Sequence, residues 1–277
     1  MTLNLEQVGQ PNQELAAHLK ELRMRAGLTG ERLALRCNMS QSKISRIENG
    51  KVLPSLLDLE RILQAVAAPP EAAEEVIALA RLANTEWQGF RTLRRRGLEK
   101  KQSELAALES SSTEFRYFLL SMATGLLSTP EYIRASLARS PADITKTVAR
   151  KLERQGILHD TTKRFTFVLT EQAVRWPLLP PAGMVAQLDR LASLTRLPNL
   201  RLGVIPIAGY RPVAPMDTFT VYDTRLATVE NAAGVVILRD PRDIGMHLEL
   251  FSALEGYALF DEDARRLLTT WSADFRS

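Results

Sequence analysis

The sequence predicts two unlike parts: an all-α N-terminal domain built around a helix-turn-helix, then a mixed α+β C-terminal domain. Three observations predict this. Up to residue 84 the apolar residues recur every three or four positions, the period of a helix with one buried face. Beyond residue 113, short apolar runs alternate with helical stretches, as they do when strands and helices are mixed. The charge also divides. Residues 1–101 hold sixteen Lys/Arg against twelve Asp/Glu, and residues 102–277 hold twenty of each, so the whole net charge of +4 lies in the first part. That asymmetry is expected when one domain meets a polyanion and the other does not.

Taken in order, Leu15, Leu19, Leu22 and Ala26 mark a first helix stopped by Gly27. Thr29 is suited to cap a short second helix carrying Leu33, Ala34 and Cys37, and Asn38 suits a left-handed turn. Ser40 caps a third helix, with Ile44 and Ile47 inward and Gly50 at its end. Pro54-Ser55 opens a fourth, Pro69-Pro70 breaks it, and a fifth runs from about Glu71 to Asn84. Residues 85–112 form a basic helical connector holding Arg91, Arg94, Arg95, Arg96, Lys100 and Lys101, punctuated by Ser110-Ser111-Ser112. The boundaries are therefore 1–84, 85–112 and 113–277.

In the third segment, strands are predicted at 115–120, 164–169, 200–205, 218–222, 227–230 and 235–238. Helices are predicted from Thr129-Pro130, at 143–155, at 184–194, and at 241–254 and 261–271. Thr129-Pro130-Glu131 combines a hydroxyl cap, a first-turn proline and an acid at the positive dipole end.

Composition narrows the function classes. At 277 residues, 45% hydrophobic and 25% charged, the chain has the balance of a globular protein of one large or two modest domains. One cysteine, Cys37, excludes a disulfide framework and a Cys-rich zinc site. Residues 1–11 lack a basic cap followed by an apolar run, and no stretch approaches the roughly 18 apolar residues of a membrane helix. A soluble, cytoplasmic protein is expected.

The segment from Leu19 to Lys51 carries the function. Two short helices joined by Cys37-Asn38-Met39 and bracketed by further helices have the arithmetic of a helix-turn-helix, whose second helix enters the DNA major groove. The outward face of that helix is Gln41, Ser42, Lys43, Ser45, Arg46 and Asn49, with no acid among them.

Leu28-Thr29, Leu33-Ala34 and the run Met39-Ser40-Gln41-Ser42-Lys43-Ile44-Ser45-Arg46-Ile47-Glu48-Asn49-Gly50-Lys51 resemble an XRE-type (phage repressor and Cro-like) DNA-binding domain over about 60 residues. The resemblance implies base contacts from Gln41, Ser42 and Arg46, with Gln41 suited to adenine. Phosphate contacts are expected from Thr29, Lys43, Asn49 and Lys51, and an ion pair between Arg23 and Glu48 is implied. Gly30 departs from the pattern: many relatives place there a glutamine that grips the backbone and braces the recognition glutamine. Arg94, Arg95 and Arg96 are expected to add phosphate contacts.

The C-terminal part resembles a domain of unknown function fused to XRE modules in streptomycete WhiJ-like regulators. The residues that carry the likeness are Phe115-Arg116-Tyr117, Gly125-Leu126-Leu127-Ser128-Thr129-Pro130-Glu131-Tyr132, Arg150-Lys151-Leu152-Glu153-Arg154-Gln155, Gln187-Leu188 and Pro198-Asn199-Leu200. The usual middle motif reads PGLLQTPEY, from which Thr124 and Ser128 depart. The resemblance implies an antitoxin-like arrangement with a small partner protein encoded nearby, and no enzyme activity.

No catalytic constellation is evident. His159 and His247 are far apart in the sequence, and there is no GxSxG, phosphate loop or GxGxxG. The expectation is a homodimeric transcriptional regulator on an inverted-repeat operator in double-stranded DNA, without cofactor, metal or membrane contact. Control comes through the C-terminal domain, by a small partner protein or a small-molecule effector. The apolar 113–132 segment and the Val204–Tyr210 loop are candidates for the regulatory surface, against the favoured alternative that both are ordinary core. The alternatives are a protein-interaction module without strong DNA binding and a DNA-tethered enzyme.

Overall fold

A computed structural model describes residues 11–89, 98–138, 140, 143–231 and 233–276. The chain divides into two compact units between Glu86 and Trp87.

The first unit is helical: α1 (Pro11–Arg25), α2 (Gly30–Cys37), α3 (Gln41–Glu48), α4 (Leu56–Ala65) and α5 (Pro70–Asn84). Local chemistry sets each boundary. Gly27 and Gly50 take φ of +66° and +65°, and Asn38 sits at φ 53°, where only residues tolerant of left-handed backbone close a helix cheaply. Ser55 and Asp58 form a reciprocal capping box at α4. One core joins all five helices: Leu15, Leu19, Leu33, Ile44, Ile47, Leu59, Ile62 and Val76 are each 1% exposed. Ala26, expected inward, lies past the end of α1 and is exposed.

The second unit holds most of a seven-stranded mixed sheet. Its strands are β1 (Thr85–Gly89), β2 (Glu114–Leu119), β3 (Arg164–Thr170), β4 (Leu200–Ile205), β5 (Thr218–Tyr222), β6 (Leu226–Glu230) and β7 (Gly234–Leu238). The spatial order is β1-β7-β6-β5-β2-β3-β4. β2, β3 and β4 run parallel, and β5, β6 and β7 continue antiparallel from β2. The helices are α6 (Leu98–Ser111), α7 (Pro130–Ser136), α8 (Thr145–Arg154), α9 (Glu171–Arg175), α10 (Pro181–Leu194), α11 (Pro241–Glu255) and α12 (Asp261–Asp274). Parallel neighbours need long crossovers; α7 and α8 lie between β2 and β3 in the chain, and α9 and α10 between β3 and β4.

Strand alternation sends Phe115, Tyr117, Phe165, Phe167, Leu200 and Leu202 into one core with Leu188, Leu191, Leu268 and Trp271. Phe118, Val168, Phe219 and Val221 pack on the other face with Ile244, Phe251 and Leu254 of α11. Gly203 has no substitute: a Cβ there would lie 2.6 Å from the Phe260 ring.

The two candidate regulatory surfaces differ in burial. The 113–132 segment is not an open surface, because Phe115, Tyr117, Phe118, Leu126, Leu127 and Tyr132 are all buried. Apolar side chains on a central strand of a covered sheet are core. The Val204–Tyr210 loop divides: Val204 is buried, while Ile207 and Tyr210 are exposed. Residues 98–111 form α6 and are grouped with the second unit. Glu109 is 1% exposed and ion-paired to Arg154 of α8, and Lys163 Nζ donates to the carbonyls of Glu109, Ser110 and Ser112 at 3.0, 3.0 and 2.6 Å, closing the helix end.

Candidate nucleic-acid interface

The helix-turn-helix is assembled from its caps. Thr29 Oγ1 accepts from Arg32 N at 3.2 Å and Ser40 Oγ accepts from Lys43 N at 3.2 Å, so each helix starts on a hydroxyl. Between them, Asn38 N donates to carbonyls at the end of α2 and Met39 N to Ala34 O at 2.9 Å. The turn is thereby fixed, and with it the angle of α3. Ala34 and Cys37 are buried in the core that α2 shares with α3 and α4. Burial raises the Cys37 thiol pKa, which suits packing rather than reactivity.

Ile44 and Ile47 turn inward, which leaves Gln41, Ser42 and Arg46 exposed on the opposite side of α3. Lys51 is exposed just beyond. Among the described residues none of these four side chains has a bonding partner. The structure thus gathers the base-reading set expected from the sequence on one open face. Thr29 uses its oxygen as a cap acceptor, leaving its hydroxyl hydrogen to donate outward. Asn49 turns its amide back onto Ser45 O at 2.7 Å, so one of its two N–H bonds is engaged.

Two ion pairs hold α3. Arg23 Nε lies 2.6 Å from Glu48 Oε1, with Nη2 at 3.1 Å from Oε2, and its Nη1 donates to Leu28 O at 2.7 Å. One guanidinium therefore ties α1, the following turn and α3 together, with the two side chains only 13% and 10% exposed. The second pair has no local signal in the sequence. Lys43 Nζ sits 2.7 Å from Asp58 Oδ1, the same carboxylate that closes the capping box of α4. Partial burial alone would raise the Asp58 pKa; the hydrogen bonds from Lys43 and Ser55 outweigh it and lower it. Asp58 was not singled out from the sequence; the Ser55-to-Asp58 spacing is the signal that could have found it, as a cap.

Gly30 opens α2, and a Cβ built on it meets nothing within 4 Å. Arg94, Arg95 and Arg96 lie outside the described residues. Among the described residues no group of three His, Cys, Asp or Glu could hold a metal ion, and no helix is long and apolar enough to cross a membrane.

In the second unit, residues far apart in sequence converge on the loop before α7. Gln155 Nε2 donates to Gly125 O and Ser128 O at 2.7 and 2.8 Å. Gln187 Oε1 accepts from Thr129 N at 2.8 Å and its Nε2 donates to Leu127 O at 3.2 Å. Arg190 bridges Leu127 O and Gln155 Oε1, and Asn199 Nδ2 gathers the carbonyls of Leu158, Asp160 and Lys163. Residues 102–270 match the family model described as a domain of unknown function, DUF5753. The chain belongs to the DUF5753 family. Ahead of the DUF5753 region, residues 14–76 match the model of a helix-turn-helix domain, which points to a DNA-binding regulator. No curated protein matches the chain. Two solved structures are similar to this DUF5753 protein at a distance. Nuc, a phospholipase D family member from Salmonella typhimurium, aligns at 16% identity over 58% of this chain and 90% of its own, with a TM-score of 0.33. TrmBL2, an archaeal chromatin protein whose structure shows a novel mode of DNA binding, aligns at 12% identity over 72% of this chain and 65% of its own, with a TM-score of 0.32. Likeness at that level carries no argument about this DUF5753 chain.

Proposed function

We propose that this protein is a sequence-specific, XRE-type transcriptional regulator. It acts in the cytoplasm as a homodimer on an inverted-repeat operator, with its DNA affinity set through the second unit by a small ligand or partner protein in an antitoxin-like arrangement. One observation carries the reading: Gln41, Ser42 and Arg46 stand together on the open face of a capped and ion-paired α3. Such a face has the donors and acceptors that match base edges in the major groove. One module spans too few base pairs for selectivity, so two modules about one turn apart, roughly 34 Å, are needed. The reading includes no catalytic step.

The test is a binding selection on random duplexes, with mass measured by light scattering. A palindromic consensus bound by a dimer is expected. Gln41→Ala and Arg46→Ala should each cost roughly 1–3 kcal/mol on that consensus and relax preference at particular bases. Unchanged preference in both variants overturns the assignment of α3 as the reading helix. Binding without a consensus, and with a flat response to salt, would favour a protein-interaction module.

A further inference from the structure

The second unit has an open-mouthed cavity of about 460 Å³ over β2 and β5, walled by the 121–128 loop, α7 and α8, with Glu230 and Asn231 at its rim. That volume falls within the roughly 300–1,000 Å³ of small-molecule sites. β2 pairs parallel with β3 on one side and antiparallel with β5 on the other, and the loop from Ser121 leaves the C-terminal end of β2 at this change of direction.

The lining mixes apolar side chains, Leu105, Leu119, Met122, Ala123 and Ile133, with a floor of hydroxyls that a core face would not need. On this face of the sheet, β3 and β4 present Phe165, Phe167, Leu169, Leu202 and Val204 to the core. The same face over β2 and β5 presents Tyr117, Thr218, Thr220 and Tyr222 to the cavity, with Tyr117 directly opposite Thr220. Tyr117 is 4% exposed, and its hydroxyl has that of Tyr222 near it but makes no hydrogen bond of good geometry. Burial raises the pKa of both tyrosines, so both remain neutral phenols able to donate. A buried hydroxyl left without a good acceptor is destabilising until something accepts from it.

The charged residues indicate the class of occupant. Arg154 lines the cavity but is held by the buried Glu109, and the charge of Lys151 is offset by the opposite charge of Glu230 at the rim. The lining is therefore balanced in charge and rich in hydroxyls. The Lys151 stem passes against Gly125, where a Cβ would lie 3.3 Å from its Cδ. The bonds from Gln155 and Gln187 hold the loop wall in place before any ligand arrives.

We propose that this cavity binds a neutral, hydroxyl-rich small molecule of mono- to disaccharide size, with Tyr117 and Thr220 on its floor. This deepens the regulatory reading above, and rests on it for the consequence that ligand binding changes DNA affinity. The test uses the full chain. Glucose, maltose and trehalose serve as neutral probes, glucuronate as the charged one and indole as the apolar one. A neutral probe at a hundredfold excess over its Kd should raise the melting temperature by about 5 °C. Tyr117→Phe and Thr220→Val, which keep shape and remove a hydroxyl, should weaken that binding about tenfold. Tyr117→Phe should also melt no lower than the parent without ligand, since it deletes an unpaired group. The proposal is overturned if no neutral probe binds, if glucuronate or indole binds in their place, or if both variants bind as the parent does. Operator affinity is measured separately without probe. Its absence sinks the regulator reading and leaves the cavity result intact, and a probe that binds without changing operator affinity sinks only the coupling.

Discussion

Lys43 of α3 and Asp58 of α4 share a 2.7 Å ion pair, so the cation that the proposed function places on a backbone phosphate carries its counter-charge with it. Lys43 remains 42% exposed, open to solvent, while Asp58 is 10% exposed. Because the Asp58 pKa is lowered, the carboxylate stays ionised throughout the working range. Asp58→Asn keeps an oxygen to accept from Ser55 N and removes the charge. It should tighten binding to all sequences alike and steepen the slope of log affinity against log salt by up to about 0.9, the increment for one phosphate contact. Lys43→Ala should do the reverse. Titrations of both variants from low to high salt check this, and two unchanged slopes would place Lys43 off the DNA.

The Arg23–Glu48 pair sets stability and helix angle together. Both side chains are largely buried and Arg23 also holds Leu28 O. Removing one partner strands the other's charge, so Glu48→Ala should lower stability by about 3 kcal/mol or more in urea unfolding. Replacing both by apolar residues of similar volume, Arg23→Met with Glu48→Leu, should recover most of that loss. Failure of the double variant to recover would mean that the bond to Leu28 O, not the ion pair, is the dominant tie.

Much of this was legible from residues alone, and the exceptions have physical causes. The caps at Thr29, Ser40 and Thr129 were legible because a hydroxyl before an apolar-periodic run has one obvious use, to accept from the first turn. The strands Leu200–Ile205 and Thr218–Tyr222 stood out by their short apolar runs. Thr85–Gly89 did not, since TEWQG has neither alternation nor β-branched content beyond its first residue and is a strand only by pairing. Nor did Lys43–Asp58, whose partners lie fifteen residues apart on separate helices. The cavity was invisible for a third reason. Alternation assigns Thr218, Thr220 and Tyr222 to one face but does not say whether that face meets a helix, water or a ligand.

Asp223 supplies a pH test of the second unit. It sits at φ 52° in the turn after β5. Its Oδ1 accepts from Thr113 N, Thr113 Oγ1 and Glu114 N at 3.0, 3.1 and 2.9 Å, and its Oδ2 lies 2.8 Å from Arg225 Nη2. Burial alone would raise its pKa; these donors outweigh it and lower the pKa from 3.8 to about 2. A folded-state pKa below the unfolded one stabilises at pH above the unfolded value. That contribution is lost as pH falls from about 4 toward 2. With solvent screening allowed for, Asp223→Asn should cost about 1–2 kcal/mol at pH 7. The gap to the parent should narrow below pH 4 and close near pH 2. Unfolding curves across that range decide it, and a gap independent of pH would assign the loss to geometry rather than charge.

The last prediction turns on Gly30, the first residue of α2. Its backbone is not left-handed, and a Cβ added there meets nothing within 4 Å, so any side chain fits without strain. Glycine at a helical position costs roughly 0.5–1 kcal/mol relative to alanine, because the unfolded chain has more freedom to lose. Gly30→Ala should therefore stabilise the first unit by that amount and leave DNA binding unchanged. Gly30→Gln should add the same stability and, in addition, place an amide at the α2 N-terminus, beside Thr29. A hydrogen bond to a charged group contributes about 1.5–3 kcal/mol, so operator binding should tighten by roughly tenfold or more. The glutamine adds no charge, so the salt slope should stay that of the parent. Gly30→Lys should instead steepen it by up to about 0.9. Comparing the three variants separates a stability effect from a contact and a contact from a charge. If Gly30→Gln bound no more tightly than Gly30→Ala, the free N–H groups at the start of α2 would already hold the phosphate, and the absent glutamine would leave no gap in the interface.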